Sequence, residues 1–178
     1  YSQRKGEDFM TEYFRINIKN FMSAPFSAIG EKGMLITSGT KDKFNTMTAS
    51  WGGLGTLWNK DVSFVFVRPQ RYTYEFMETN DLYTMSFFNA GMKNVLSICG
   101  SKSGRDFDKV SEAGITPRFE NGYVYFDEAE IVIMCRKIYA QFIDPACAID
   151  KTILGNYKEN DYHKMYVGEV TQILKRVD

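Results

Sequence analysis

From Asn45 to Trp51 short hydroxyl and amide residues alternate with apolar ones, N-T-M-T-A-S-W. A period of two marks a strand with one polar face and one buried face. Gly52, Gly53 and Gly55 follow at once. Glycine weakens strand pairing, so these three are expected to interrupt the strand at a bulge, a bend, or a close approach of a ligand or another backbone. That leaves Thr46, Thr48 and Ser50 on one edge beside Trp51, an aromatic expected at an exposed turn. Short hydroxyls and free backbone N–H groups suit a polar ring edge or a phosphate, and an indole suits the face of an aromatic ring.

With 178 residues and 44% apolar side chains, the chain has the length and content of one globular domain with a real core, residues 1–178. Aromatic residues make up 15%, 14 of them Phe and 11 Tyr, which tilts the class toward sheet. Basic and acidic residues balance at 22 each, so there is no electrostatic footprint for nucleic acid or an anionic membrane. Any anion site must therefore be built locally. The three cysteines, Cys99, Cys135 and Cys147, are odd in number and widely spaced, which makes neither a disulfide framework nor a metal-ligand pattern. They read as small buried hydrophobes in a reducing compartment. No apolar run is long enough to cross a bilayer and no charged-then-apolar signal opens the chain, so a cytoplasmic protein is expected.

Read in order, residues 1–12 form a polar, loose arm. Asn20 to Gly30 has helical spacing broken by Pro25, with Gly30 and Gly33 closing it. Strands are expected at Met34–Ser38, Phe44–Trp51, Val62–Val67 and Leu82–Phe88, the third apolar enough to be buried on both sides. Thr73 before Tyr74-Glu75-Phe76-Met77-Glu78 reads as an N-cap, which would aim free N–H groups back at Arg68 and Arg71. Helices are expected at Ala90–Cys99, stopped by Gly100, and from Asp106 to Ala113. Asn121-Gly122 between apolar flanks is a strong hairpin signal. Two long strands, near residues 130–143 and 166–173, complete the sheet. Many closely spaced strands with few helices point to a mainly β fold, a closed or nearly closed β-barrel with peripheral helices.

Arg68 and Arg71 flank Pro69-Gln70 and can grip a phosphate between them, or can be two solvated arginines after a strand. Coupled to the preceding strand and to Thr73, the phosphate is the stronger reading. His163, the sole histidine, sits among Asp161, Tyr162 and Lys164 and invites an acid–base role, but reads better as a loop residue lining a pocket mouth. There is no Ser-His-Asp spacing, zinc-binding H-E-x-x-H, Walker loop or Rossmann fingerprint.

Four pieces in order, Asn45-x-Met47-Thr48-Ala49-Ser50-Trp51-Gly52-Gly53, then Arg68-Pro69-Gln70-Arg71-Tyr72-Thr73-Tyr74-Glu75, then Cys99-Gly100-Ser101-Lys102-Ser103-Gly104-Arg105-Asp106, then His163 to Val170, together resemble the flavin reductase-like proteins of the FMN-binding split-barrel fold, and among them the flavoredoxins. The resemblance covers nearly the whole chain. It implies that Asn45, Met47 to Trp51, Arg68, Gln70, Arg71, Tyr72 and Thr73 line FMN, with Arg71 and Thr73 at its phosphate. Lys102, Ser103 and Arg105 would cap the same phosphate or meet NAD(P)H, against the equal alternative of an ordinary capped helix start. The family further implies a homodimer that passes electrons from NAD(P)H to a small-molecule or protein acceptor. Two rivals stay open: an electron carrier of the flavoredoxin type without NAD(P)H turnover, and an enzyme like those that oxidise pyridoxamine phosphate. The second calls for several extra basic residues at a substrate phosphate, which the sequence does not offer.

Overall fold

The computed structural model describes residues 11–18 and 24–177. Most of the proposed arm therefore lies outside the described residues. Residues 11 and 12 are not loose, since Glu12 O accepts from the Val177 amide and Thr11 O from Arg118. Strand β1 (Tyr13–Ile16) pairs antiparallel with the end of the last strand. Residues 20–23 of the expected first helix also fall outside the description. What is described is a π-helical segment, Phe26–Lys32, which starts after Pro25 and runs through Gly30 to Gly33.

Strands β2 (Met34–Gly39), β3 (Phe44–Ala49), β4 (Gly52–Leu57), β5 (Lys60–Val67), β6 (Leu82–Phe87), β9 (Ile131–Phe142) and β10 (Lys164–Arg176) form one antiparallel sheet in the order β3-β2-β6-β9-β10-β5-β4. The sheet curls until side chains from β2, β3, β5, β6, β9 and β10 meet in one core containing Met34, Ile36, Met47, Val65, Met85, Ile133 and Tyr166. No hydrogen-bonded ladder joins β3 to β4, so the barrel is split there. A second core covers the outer face, where the hairpin of β7 (Pro117–Glu120) and β8 (Tyr123–Phe126) and helix α2 (Lys93–Ser101) lie over Leu35 and Val132. Asn121 and Gly122 make the hairpin turn at φ 50° and 84°, the left-handed pair a two-residue loop requires.

Several local expectations are overturned. The strand is interrupted as expected, at a corner at Ser50-Trp51 with the Phe64 backbone close against Gly52, but the glycines then go on to build β4, an edge strand on β5, where the ring of Phe64 lies over Gly53 and Gly55. Strand β5 is not buried on both faces, because Phe64 and Phe66 are half-buried while Val65 and Val67 are in the core. Helix α1 (Tyr72–Thr79) is capped at Arg71, and Thr73 stands inside the first turn. Gly100 does not stop α2 but lies within it, packed closely against the Thr48 side chain. The next helix, α3, is only Lys109–Ala113, capped by Asp108. Cys99 and Cys135 are buried and Cys147 is exposed.

Candidate functional site

The corner between β3 and β4, the loop from β5 into α1, and the loop between α2 and α3 converge at the open seam of the barrel. Two adjoining cavities result. One, of about 200 Å³, is lined by Met47, Thr48, Ala49, Ser50, Trp51, Phe66, Arg68, Arg71 and His163. The other, of about 190 Å³, is lined by Gln70, Arg71, Tyr72, Thr73, Ser101, Lys102, Ser103, Gly104 and Lys109. Arg71 belongs to both.

Arg71 reaches its place because the turn after β5 closes with its amide on Arg68 O (3.1 Å) while its carbonyl accepts from Tyr74, the start of α1. Its Nη1 donates to Gly100 O at the end of α2 (3.1 Å), and its Nη2 is buried with no partner. Burial, and then the neighbouring Arg68, lower its pKa. A guanidinium nonetheless stays charged at neutral pH. A buried donor without an acceptor costs about 1–3 kcal/mol, more when charged, so this nitrogen asks for an anion in the cavity.

The other cations behave differently. Arg68 is spent on Asp161 (2.5 Å) and on Asn156 O, and lies over the Tyr157 ring. Gln70 donates to the same carboxylate, and the two hydrogen bonds, Arg68's first, hold Asp161 below the usual carboxylate range. The pairing of Arg68 with Arg71 around one phosphate is thus not what the geometry offers; Arg68 braces the wall. Lys102 is paired with Glu112, and Arg105 with Glu75 while stacking on Tyr72 outside both cavities. Ser103 Oγ accepts from the Arg105 amide.

Two hydroxyls expected on the polar edge also point elsewhere. Thr46 shares a 2.8 Å hydrogen bond with Thr37, and Thr48 donates to Leu96 O (2.5 Å). What β3 offers the first cavity is its backbone and the Ser50-Trp51 corner. Asn45 lies behind the second cavity: its Nδ2 donates to Thr73 Oγ1 (2.8 Å), and Gly104 packs so tightly on its amide that no Cβ fits there.

His163 lines the first cavity from the loop before β10, its ring 5.0 Å from that of Trp51 and its Nδ1 3.0 Å from the Tyr157 hydroxyl. Burial and the nearby Arg68, opposed by Asp161, lower its pKa to about 4. The imidazole is therefore neutral throughout the physiological range. In the unfolded chain its pKa returns to about 6.5, so the unfolded state takes up the proton first, and stability present above that pH falls as the solution is acidified toward about 4. We expect the urea midpoint to drop between about pH 6.5 and 5, above the range where carboxylates titrate, and His163→Gln to flatten that slope. An equal slope in the variant would show that His163 is not the group responsible.

Sequence reasoning missed Phe66, Ser101 and above all Lys109, which is 4% exposed. A lysine in a five-residue helix carries no periodicity that separates a buried position from a solvated one.

Residues 26–177 match the family model of the flavin reductase like domain. Among solved structures, the fold is similar to an FMN-binding domain of a flavin reductase-like enzyme from Shewanella baltica (TM-score 0.67, 13% identity, covering 93% of this chain and 78% of that one). It is also similar to flavoredoxin of Desulfovibrio vulgaris (0.63, 21%, 82% and 69%) and to an NADH:FAD oxidoreductase of Streptomyces globisporus (0.60, 13%, 82% and 78%). No curated protein matches the chain. With one family model spanning residues 26–177 and a split antiparallel barrel to go with it, this chain belongs to the flavin reductase-like family.

Proposed function

We propose that the protein binds FMN across the two cavities and works as an NAD(P)H–flavin oxidoreductase, delivering electrons to a small-molecule or protein acceptor. The observation that carries this reading is the buried, partnerless Nη2 of Arg71 at the junction of an aromatic-walled cavity and a cation-lined one. A ligand with a flat ring at one end and a phosphate at the other answers both.

In this reading Arg71, Lys109 and the hydroxyls of Thr73 and Ser101 hold the phosphate, helped by the Tyr72 and Thr73 N–H groups at the start of α1, the Tyr74 N–H being taken by Arg71 O. The backbone from Met47 to Trp51 meets the polar edge of the ring. When bound, the flavin supplies hydride acceptance at N5 and onward electron transfer. The chain's own part is to orient and to shield. Trp51, Phe66 and His163 wall the ring cavity. Neutral His163 adds neither a charge nor a proton to it at working pH. Arg68 is held by Asp161, so the wall keeps its shape without an ordering cost on binding.

A homodimer is the assembly we propose, supported by the exposed pair Trp58 and Tyr139, whose rings lie 5.7 Å apart. The cysteines, all free, support a reducing, cytoplasmic setting. Anaerobic absorption spectra of the purified protein before and after NADH, then NADPH, test the activity. We expect a flavin spectrum that one nucleotide bleaches. A flavin spectrum that neither bleaches would make the protein a carrier fed by another protein, and a colourless protein whose addition leaves the FMN spectrum unchanged would remove the reading altogether.

A further inference from the structure

Lys109 is a buried cation with no counter-ion among the described residues. Its Nζ donates to Thr46 O on β3 and to Cys99 O on α2 (3.2 Å). An ammonium has three donors, so one is left over. Buried ammonium groups are normally paired with a carboxylate, because leaving water costs several kcal/mol. Among the described residues none pairs with Lys109. From the loop before α1 comes Arg71, another cation. From the segment between α2 and α3 come Lys102, held by Glu112, and Asp108, whose carboxylate accepts from the Ser111 amide (3.0 Å). From α2 comes Cys99, whose buried thiol titrates only at about 11. Asp42 and Lys43 stand on the wall of a further cavity that Lys109 also borders. Among the described residues, no carboxylate forms an ion pair with Lys109.

A buried lysine and a half-buried arginine therefore share one cavity, each with an idle donor and, among the described residues, neither paired with an acid. We propose that Lys109 is the second cation of this anion site and takes up a proton when a phosphomonoester dianion binds, so that the protein loosens its hold on the phosphorylated flavin as the solution turns alkaline. The inference rests on the FMN reading above and adds a regulation to that site.

The sign follows from the charges. Burial pulls Lys109 down to about 8, with Cys99 opposing and Arg71 adding to the shift. A dianion beside it favours the ammonium and moves the value back up. Below about 8 the ammonium is already formed and binding takes no proton; above it, each binding event must first protonate Lys109. Affinity for a phosphomonoester then falls by up to about tenfold per pH unit. The ligand does not confuse the window, since its second ionisation lies near about 6, and Arg71 keeps its charge.

The test compares FMN with riboflavin, which shares the ring and lacks the phosphate. Dissociation constants for both come from flavin fluorescence on wild type, Lys109→Met and Lys109→Arg, from about pH 7 to about 9.5. In the ratio of the two affinities, everything that titrates on the ring cancels. We expect the wild-type preference for FMN to hold near neutrality and to shrink about tenfold or more by the alkaline end. Lys109→Arg should keep the preference at every pH, and Lys109→Met should start with a reduced preference that does not change. A wild-type ratio that stays flat, or a methionine variant that keeps both preference and slope, overturns the proposal while leaving the FMN reading intact. Wild type that binds neither flavin removes both. Methionine relieves the unpaired charge but also withdraws the donor from Thr46 O and Cys99 O, so its melting temperature is measured alongside; should it fail to fold, a slope in Lys109→Arg equal to wild type overturns the proposal by itself. Inorganic phosphate gives an independent arm: it should raise the wild-type melting temperature near neutrality and lose that effect at the alkaline end, and equal shifts at both would count against Lys109.

Discussion

Replacing Arg71 by methionine is expected to weaken FMN binding by about 10- to 150-fold while leaving riboflavin within about threefold, because a hydrogen bond to a charged group contributes about 1.5–3 kcal/mol and each 1.4 kcal/mol is about tenfold in affinity. Equilibrium titration with each flavin measures it. The single substitution is cleaner than one that also removes Thr73. Thr73 Oγ1 accepts from buried Asn45, and an alanine there would strand that amide and cost stability unrelated to the ligand. Arg71, by contrast, already carries an unpaired buried nitrogen, and methionine, which fills the same stem, gives up one part-buried hydrogen bond to Gly100 O while removing that unpaired donor, so the melting temperature should move little. Full FMN affinity in the variant would place the phosphate elsewhere.

The same residue shows where sequence reading succeeds and where it stops. That Arg71 stands between a strand and a helix is local information: Val62–Val67, Pro69 and the glutamates of α1 all lie within a few residues of it. That its Nη1 is held by Gly100 while Nη2 is idle depends on α2, which reaches the same place only through the barrel. The hairpin at Asn121-Gly122 and the long strands β9 and β10 were legible for the same reason, since turn chemistry and alternation are properties of neighbours in the chain. Strand β4 was not: three glycines carry no β signal, and what makes them a strand is pairing with β5 and the Phe64 ring lying over them. Thr46 and Thr48 have the right chemistry for a ligand, but their partners Thr37 and Leu96 lie on other elements and consume it. Arg68 likewise meets Asp161, far along the chain. Burial of Lys109 is the plainest case, for it is set by β3 and α2 closing over a helix too short to have a face of its own.

Alanine at Gly168 is expected to lower stability by about 2–5 kcal/mol, the sum of an overpacking term of about 1–3 and the loss of a buried hydrogen bond. Tyr83 explains why. It starts on β6, is 1% exposed, and extends beneath β9 so that its ring rests on the Cα of Gly168 in β10. A Cβ at Gly168 would overlap the Tyr83 hydroxyl and come within 2.7 Å of Cζ and 2.8 Å of Cε1. The tyrosine cannot swing away freely, since its hydroxyl is bonded to Ser63 (2.6 Å), which also contacts Cys135 (3.1 Å). Relief must come from the backbone, at a point where the β9–β10 register already shifts. For a chain of this size, each kcal/mol moves the melting temperature by about 2–4 °C, so a drop of about 4–20 °C should be seen. Gly155→Ala is the matched control: nothing lies within 4 Å of a Cβ there, and its effect should stay within about 0.5 kcal/mol. Phenylalanine at Tyr83 removes the overlapping oxygen, so Tyr83→Phe combined with Gly168→Ala should be less damaging than the two effects added, as contacting residues are when they share one clash. A Gly168→Ala protein melting within about 2 °C of wild type would mean the barrel yields there at little cost. The site would feel such yielding, because β10 begins next to His163 and pairs with Phe66 through Met165, so the seam that holds Tyr83 also sets the wall of the ring cavity.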